Sequence, residues 1–264
     1  MNILPRYRGL EFADDPRLNP LVKAYVHLFG VPISGLRIRL RRILPAIRGD
    51  YRSIIDLGCG KGIFTFELAK QYPRAHVLGV DLDQEQVAIN RGIAERRGIK
   101  NLEFRVQDIL QMPYENEFDL AVSVDNLEHI DDDVGALKLM YRALRSGGTL
   151  VCHVPAYERI WLLRGTSVNF DVPGHVRPGY RRNEFRGKLE SAGFAVESLA
   201  HTYGYLETVT NNLSYLITGA EQKNKGIYAL AFPVLNAVAW LGRNQDPGDK
   251  GAGMIAQATK PLHS

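Results

Sequence analysis

The stretch Asp56-Leu57-Gly58-Cys59-Gly60-Lys61-Gly62 sets a carboxylate before three closely spaced glycines. Without a Cβ, such a turn can reverse tightly and bring backbone close to a ligand at a helix start. The spacing argues against a pyrophosphate cradle. G-x-G-x-x-G requires a glycine three residues after Gly60, where Ile63 stands, and the P-loop lysine-serine pair is absent. Gly79-Val80-Asp81 supplies a second carboxylate about 20 residues on, where an acid can accept hydrogen bonds from two ribose hydroxyls. Gln107-Asp108 supplies a third, placed to meet an adenine amino group. Proton removal near neutral pH suits histidine, and three are of interest: His129, His153 and His175. His153 falls inside a strand and reads as a histidine satisfied by its neighbours. Tyr157, Arg177 and Tyr180 fit either an acidic or aromatic pocket or simple loop packing.

These residues need a sheet to carry them. From Ser53 to about Pro155 short apolar runs alternate with helix-period segments, the pattern of βαβ units around a parallel sheet. Strands are expected at 53–57, 76–80, 102–106, 118–124 and 149–154, so that Asp56, Asp81 and Asp108 lie at successive carboxyl ends. Asp83 with Gln86 predicts a capping box. Val134, Leu137, Tyr141 and Leu144 predict a helix that Gly147-Gly148 stops. Residues 156–180 read as an irregular connection, followed by a helix over 181–192, a strand over 194–201 and a last strand over 254–259. About 50 residues are left between those two strands as an insertion.

Composition bounds the rest. With 264 residues, 45% hydrophobic and 23% charged, the chain can bury one sizeable core and carries no disorder, collagen or coiled-coil bias. Cys59 and Cys152 have neither zinc nor disulfide spacing. The start lacks a secretory signal pattern, so a reducing cytoplasm is expected. Net charge is +4, with arginines crowded before Ser53 at 37, 39, 41, 42, 48 and 52.

The glycine-rich turn, Asp81, Asp108 and the run 118–130, ending in Asp125-Asn126-Leu127-Glu128-His129-Ile130, resemble in order and spacing the motifs of class I methyltransferases that use S-adenosylmethionine (SAM). The similarity is greatest to the small-molecule branch that includes quinone-biosynthesis enzymes. It covers residues 52–155 well and the stretch from His175 to Phe194 more loosely. The resemblance implies an α/β Rossmann-like doubly wound, mostly parallel seven-stranded sheet, with helices on both faces and an α-helical cap. It implies SAM as cofactor, with Gly58 and Gly60 against the methionine moiety and Asp56 orienting backbone or the amino group. It places Asp81 and Leu82 at the ribose, Asp108 and Ile109 at adenine, and Asp125 at the methionine end. It also places His175 in the connection over the active site, as base, and His129 in the SAM pocket. No metal is expected. Val124-Asp125-Asn126-Leu127 replaces the Asn/Asp-Pro-Pro-Tyr tetrapeptide of many amino-methylating enzymes, so DNA is not the expected acceptor.

The expected organisation is a helical cap segment over 1–51 and a methyltransferase domain over 52–264, with an apolar insertion at about 205–250. The expected reaction is in-line methyl transfer to a small-molecule or lipid-like acceptor. A SAM-binding protein without turnover and an RNA methyltransferase are the alternatives. Leu36, Leu40, Ile43, Leu44 and Ile47 recur at helical spacing among the arginines, and no charge lies between Lys225 and Arg243. Both segments read either as extra core or as a cap touching a membrane surface or an apolar substrate. Pro233 and Asn236 interrupt the second, which is too short to span a bilayer.

Overall fold

Aliphatic strand runs joined by amphipathic helices bury both faces only when the sheet is sandwiched between helices. The computed structural model describes residues 7–161, 165–169, 174–219 and 224–262. Five parallel strands follow the expected rhythm: β1 (Ser53–Leu57), β2 (His76–Asp81), β3 (Leu102–Val106), β4 (Phe118–Val124) and β5 (Leu144–Pro155). Helices α3 (Ile63–Gln71), α4 (Gln84–Arg96) and α5 (Asp133–Ala143) connect them. After α6 (Arg182–Ser191), β8 (Ala195–Thr202) and β9 (Gly253–Thr259) complete a seven-stranded sheet in the order β3-β2-β1-β4-β5-β9-β8. The last strand is antiparallel to both β5 and β8. Strand order reverses between β1 and β4, so a crevice opens at their carboxyl ends. One core lies under α5 and α6, built on Ile55, Leu57, Leu137 and Phe185; a second lies under the N-terminal helices, built on Leu40, Ile43, Ile54 and Leu120.

Asp83 caps α4 as expected, accepting from Gln86 N at 2.9 Å, but Gln86 turns its side chain to Asn90 instead of closing the box. Two expectations are corrected. The helix ending in 134–144 stops at Ala143, and Leu144 already pairs with Phe118 in β5. Leu144 is buried in either state, so periodicity could not tell them apart. The irregular connection contains an antiparallel pair, β6 (Glu158–Trp161) and β7 (Gly165–Val168), strands too short to show alternation.

Among the described residues four helices lie outside the βαβ pattern: α1 (Pro20–Phe29) and α2 (Ser34–Ile43) before β1, and α7 (Tyr205–Thr218) and α8 (Lys225–Leu241) between β8 and β9. The arginines of α2 do not form an outward basic face. Arg37 is fully buried and donates to Phe29 O at 3.2 Å. Arg41 donates to Asn236 Oδ1 on α8, and Arg42 donates to Glu207 Oε2 on α7 at 2.8 Å. The outward faces are apolar instead. Tyr205 and Leu216 on α7, and Ile227, Leu230, Val234 and Leu241 on α8, are each more than 60% exposed.

Candidate active site

Chain direction brings the β1–α3 turn to the crevice. Gly58, Gly60 and Gly62 all sit at positive φ, between 47° and 72°. A Cβ on Gly58 would overlap the Asn126 side chain, so only glycine fits. The turn is anchored to the end of β2. Gly60 N donates to Asp81 Oδ2 at 2.7 Å, while Asp81 Oδ1 accepts from Asp83 N at 3.0 Å. Asp56 points beneath the turn, 2% exposed, and accepts from Thr65 Oγ1 at 2.6 Å. Burial pushes its carboxyl up to about 7 against the pull of that hydrogen bond. Asp56, Gly58, Gly60 and Asp125 line one cavity of about 230 Å³. Asp81 reaches it through Gly60. Leu82, Asp108 and Ile109 do not line it: Leu82 is 68% exposed, Ile109 is buried, and Asp108 caps a short turn by accepting from Leu110 N and Gln111 Nε2.

Asp125 follows β4 at φ 49°, a conformation unusual for a residue with a Cβ. Its carboxylate lies between Arg39 of α2 and His153 of β5, with His153 Nδ1 at 2.5 Å. Burial opposes the charge, but Arg39 and then His153 outweigh it and hold Asp125 at about 2. A carboxylate so held only accepts, so His153 Nδ1 carries the proton and Nε2 faces the Thr202 hydroxyl at 2.9 Å. His153 is thus satisfied by its neighbours, and one of them belongs to the site. Glu128, 1% exposed, is pushed well above the carboxylate range by burial and by the nearby charge of Asp125.

A second cavity of about 360 Å³ lies on the other side of Asp125, lined by Arg39, Glu128, His129, His153, His175 and Tyr203 among others. Arg39 and Asp125 line both cavities and form the wall between them. His129 and His175 meet edge to face, ring centroids 4.5 Å apart. Two adjoining chambers with a charged common wall can hold two small molecules end to end, the requirement of a group transfer between them. Sequence reasoning singled out Asp125, His129 and His175 but assigned no site role to Arg39, Glu128 or His153. No spacing rule connects residue 39 to residue 125; the Glu-His pair at 128–129 was the available signal for Glu128.

Residues 50–177 match a family model described as a methyltransferase domain. The chain is 32% identical over 151 residues to trans-aconitate 2-methyltransferase from Deinococcus radiodurans, covering 57% of this chain and 51% of that protein. It is 32% identical over 102 residues to demethylmenaquinone methyltransferase from Lactococcus lactis, 38% of this chain and 40% of that protein. The chain spans about half, or less, of the length of these two relatives. Among solved structures, Haemonchus contortus phosphoethanolamine N-methyltransferase 2 in complex with S-adenosyl-L-methionine superposes with a TM-score of 0.61 at 16% identity, covering 96% of this chain and 60% of that one.

Proposed function

Because residues 50–177 form a class I SAM-dependent methyltransferase domain, we propose that this chain methylates a small-molecule or lipid-like acceptor held in the larger chamber. The observation that carries this reading is the shared wall: Arg39 and Asp125 border both the glycine-lined cavity and the larger chamber. The glycine-lined cavity suits the cofactor, since a Cβ on Gly60 would meet no protein atom within 4 Å and so stand in the open space of the cradle. There Gly58 and Gly60 hold the methionine moiety, with Asp56 beneath them and Asp125 at its end. Beyond that cavity, along the carboxyl ends of β2 and β3, Asp81 and Leu82 hold the ribose, and Asp108 and Ile109 hold the adenine. Bound SAM supplies an electrophilic methyl group. The chain's own work is to align the acceptor, exclude water and, for an oxygen or nitrogen acceptor, remove a proton. His175 takes that proton, and His129 shapes the chamber beside it. The described residues of the segment 1–51 and of the insertion at about 205–250 form the cap, through the contacts of α2 with α7 and α8.

The apolar outward faces of α7 and α8 favour the lipid-like acceptor and peripheral contact with a membrane from the cytoplasm. Among the described residues no helix is long and apolar enough to cross a membrane. Calorimetric titration with SAM and S-adenosylhomocysteine, followed by an acceptor screen that monitors methylated product, tests the proposal. Absence of SAM binding sinks it. SAM binding with no product from any acceptor class would favour a protein that binds SAM without turnover.

A further inference from the structure

We propose that Glu128, His129 and His175 form a binding site for one divalent transition-metal ion, of the Zn²⁺ or Mn²⁺ type, in the wall of the larger chamber. One potential ligand atom from each of the three lies within 4.8 Å of the others, so small side-chain rotations bring all three onto one ion. His129 is already in ligand form. Its Nδ1 lies 2.9 Å from Gly174 O, an atom that can only accept, so Nδ1 carries the proton and Nε2 keeps its lone pair. A metal-bound histidine is held in the same way, its second ring nitrogen donating to a backbone carbonyl.

Glu128 supplies the independent observation. It is 1% exposed, and its Oε2 has no hydrogen-bond partner among the described residues. A buried polar oxygen without a partner is costly, and a cation that displaces the Glu128 proton to water and binds the carboxylate removes the cost. The frame around the three is built and rigid. Val176 N donates to Glu128 O at 2.9 Å, and Arg177 Nη1 donates to the carbonyls of Leu127 and Ile130, which straps the His175 loop onto the turn that carries Glu128 and His129.

Two imidazoles and one carboxylate suit borderline ions better than Mg²⁺ or Ca²⁺, which prefer oxygen ligands throughout. Three protein ligands leave a coordination position open toward the chamber, where an oxygen of the acceptor would bind. The ion's binding is independent of the methyl-transfer reading above; its role beside an acceptor rests on that reading. With the ion in place His175 is one of its ligands and the acceptor's proton passes to water, so the base role of His175 belongs to the ion-free chain.

The test uses the full chain, free of any affinity tag and stripped with a chelator. Zn²⁺ is titrated in competition with a chromophoric chelator, Mn²⁺ is followed by electron paramagnetic resonance, and SAM affinity and thermal melting are read in parallel. One equivalent of ion is expected, weakened at least about tenfold by His129→Ala, His175→Ala and the isosteric Glu128→Gln. If the Glu128 or His175 variant melts early, exposed His129 decides. Sub-stoichiometric binding by the wild type, or binding undiminished in His129→Ala, overturns the proposal. An ion bound with no SAM bound would sink the methyl-transfer reading and leave this one standing.

Discussion

At the scale of single residues, Asp56 has a charge with nowhere to go. Its folded-state value near 7 stands above the roughly 4 of an unfolded aspartate, so between those values the folded chain holds a proton that the unfolded chain has released. Stability linked to this group is therefore fully present below about pH 4 and is lost as pH rises through about 7. Asp56→Asn keeps an oxygen for Thr65 and removes the titration. Its melting temperature should match the wild type's near pH 4.5 and exceed it at pH 8, by on the order of 2 kcal/mol in stability. Parallel melting curves across that range would contradict the assignment. Asp81 is at once the anchor of Gly60 and the proposed ribose acceptor. Asp81→Ala should weaken SAM binding by roughly ten- to a hundredfold in calorimetry, and Gly58→Val by more, because its side chain collides with Asn126. His175→Ala should lower turnover on an oxygen or nitrogen acceptor by about 10² to 10⁴ at nearly constant SAM affinity. A loss below about threefold would make His175 a loop residue.

At the scale of elements, α2 works as a hydrogen-bonding hub between the sheet and α7 and α8. Arg42 is its most exacting member. It pairs with Glu207, fully buried, and also donates to the carbonyls of Gly242 and Gln245. Burial raises the Glu207 carboxyl, and Arg42 pulls it back. Removing one member of a buried pair leaves an uncompensated charge, whereas replacing both by apolar residues can be nearly neutral. Arg42→Met should therefore destabilise the chain by about 3 kcal/mol in urea denaturation, and adding Glu207→Leu should recover at least half of that loss. If the second substitution makes matters worse, the two residues stabilise the cap separately and the pair is not the staple.

At the scale of the whole molecule, the outward side of α7 and α8 is an apolar ridge. Leu230 is 84% exposed and Val234 66%, on a helix with no charged residue between Lys225 and Arg243. Contiguous exposed apolar surface of this kind marks a contact face. With Arg37, Arg41 and Arg42 turned inward, the contact should be hydrophobic more than electrostatic. The chain should float with phosphatidylcholine–phosphatidylglycerol vesicles, and salt of about 0.5 M should change that little, because screening acts on charges and not on apolar burial. Leu230→Glu with Val234→Glu should abolish flotation and spare SAM binding. A stable dimer in sedimentation with no flotation would assign the ridge to a second copy instead.

By itself the sequence determined what depends on neighbours along the chain. The bounds of β1, β3 and β4 are legible to the residue, because short apolar runs broken by polar residues, and after β1 a glycine turn, are local patterns. The acids closing β1 and β2 and following β3 were legible for the same reason. Tertiary structure decided what depends on direction through space. Asp56 turns under the glycine turn toward Thr65, and Asp108 spends its oxygens on a local cap. The arginines of α2 face inward because α7 and α8 present buried acceptors to them, a fact held in residues far along the chain. The wall between the two chambers is the clearest case. Arg39, Asp125 and His153 come from three elements with no common spacing, and only the folded sheet edge makes them neighbours. Local periodicity carries no information about such contacts, since it records which residues are apolar and not which polar atoms they will meet.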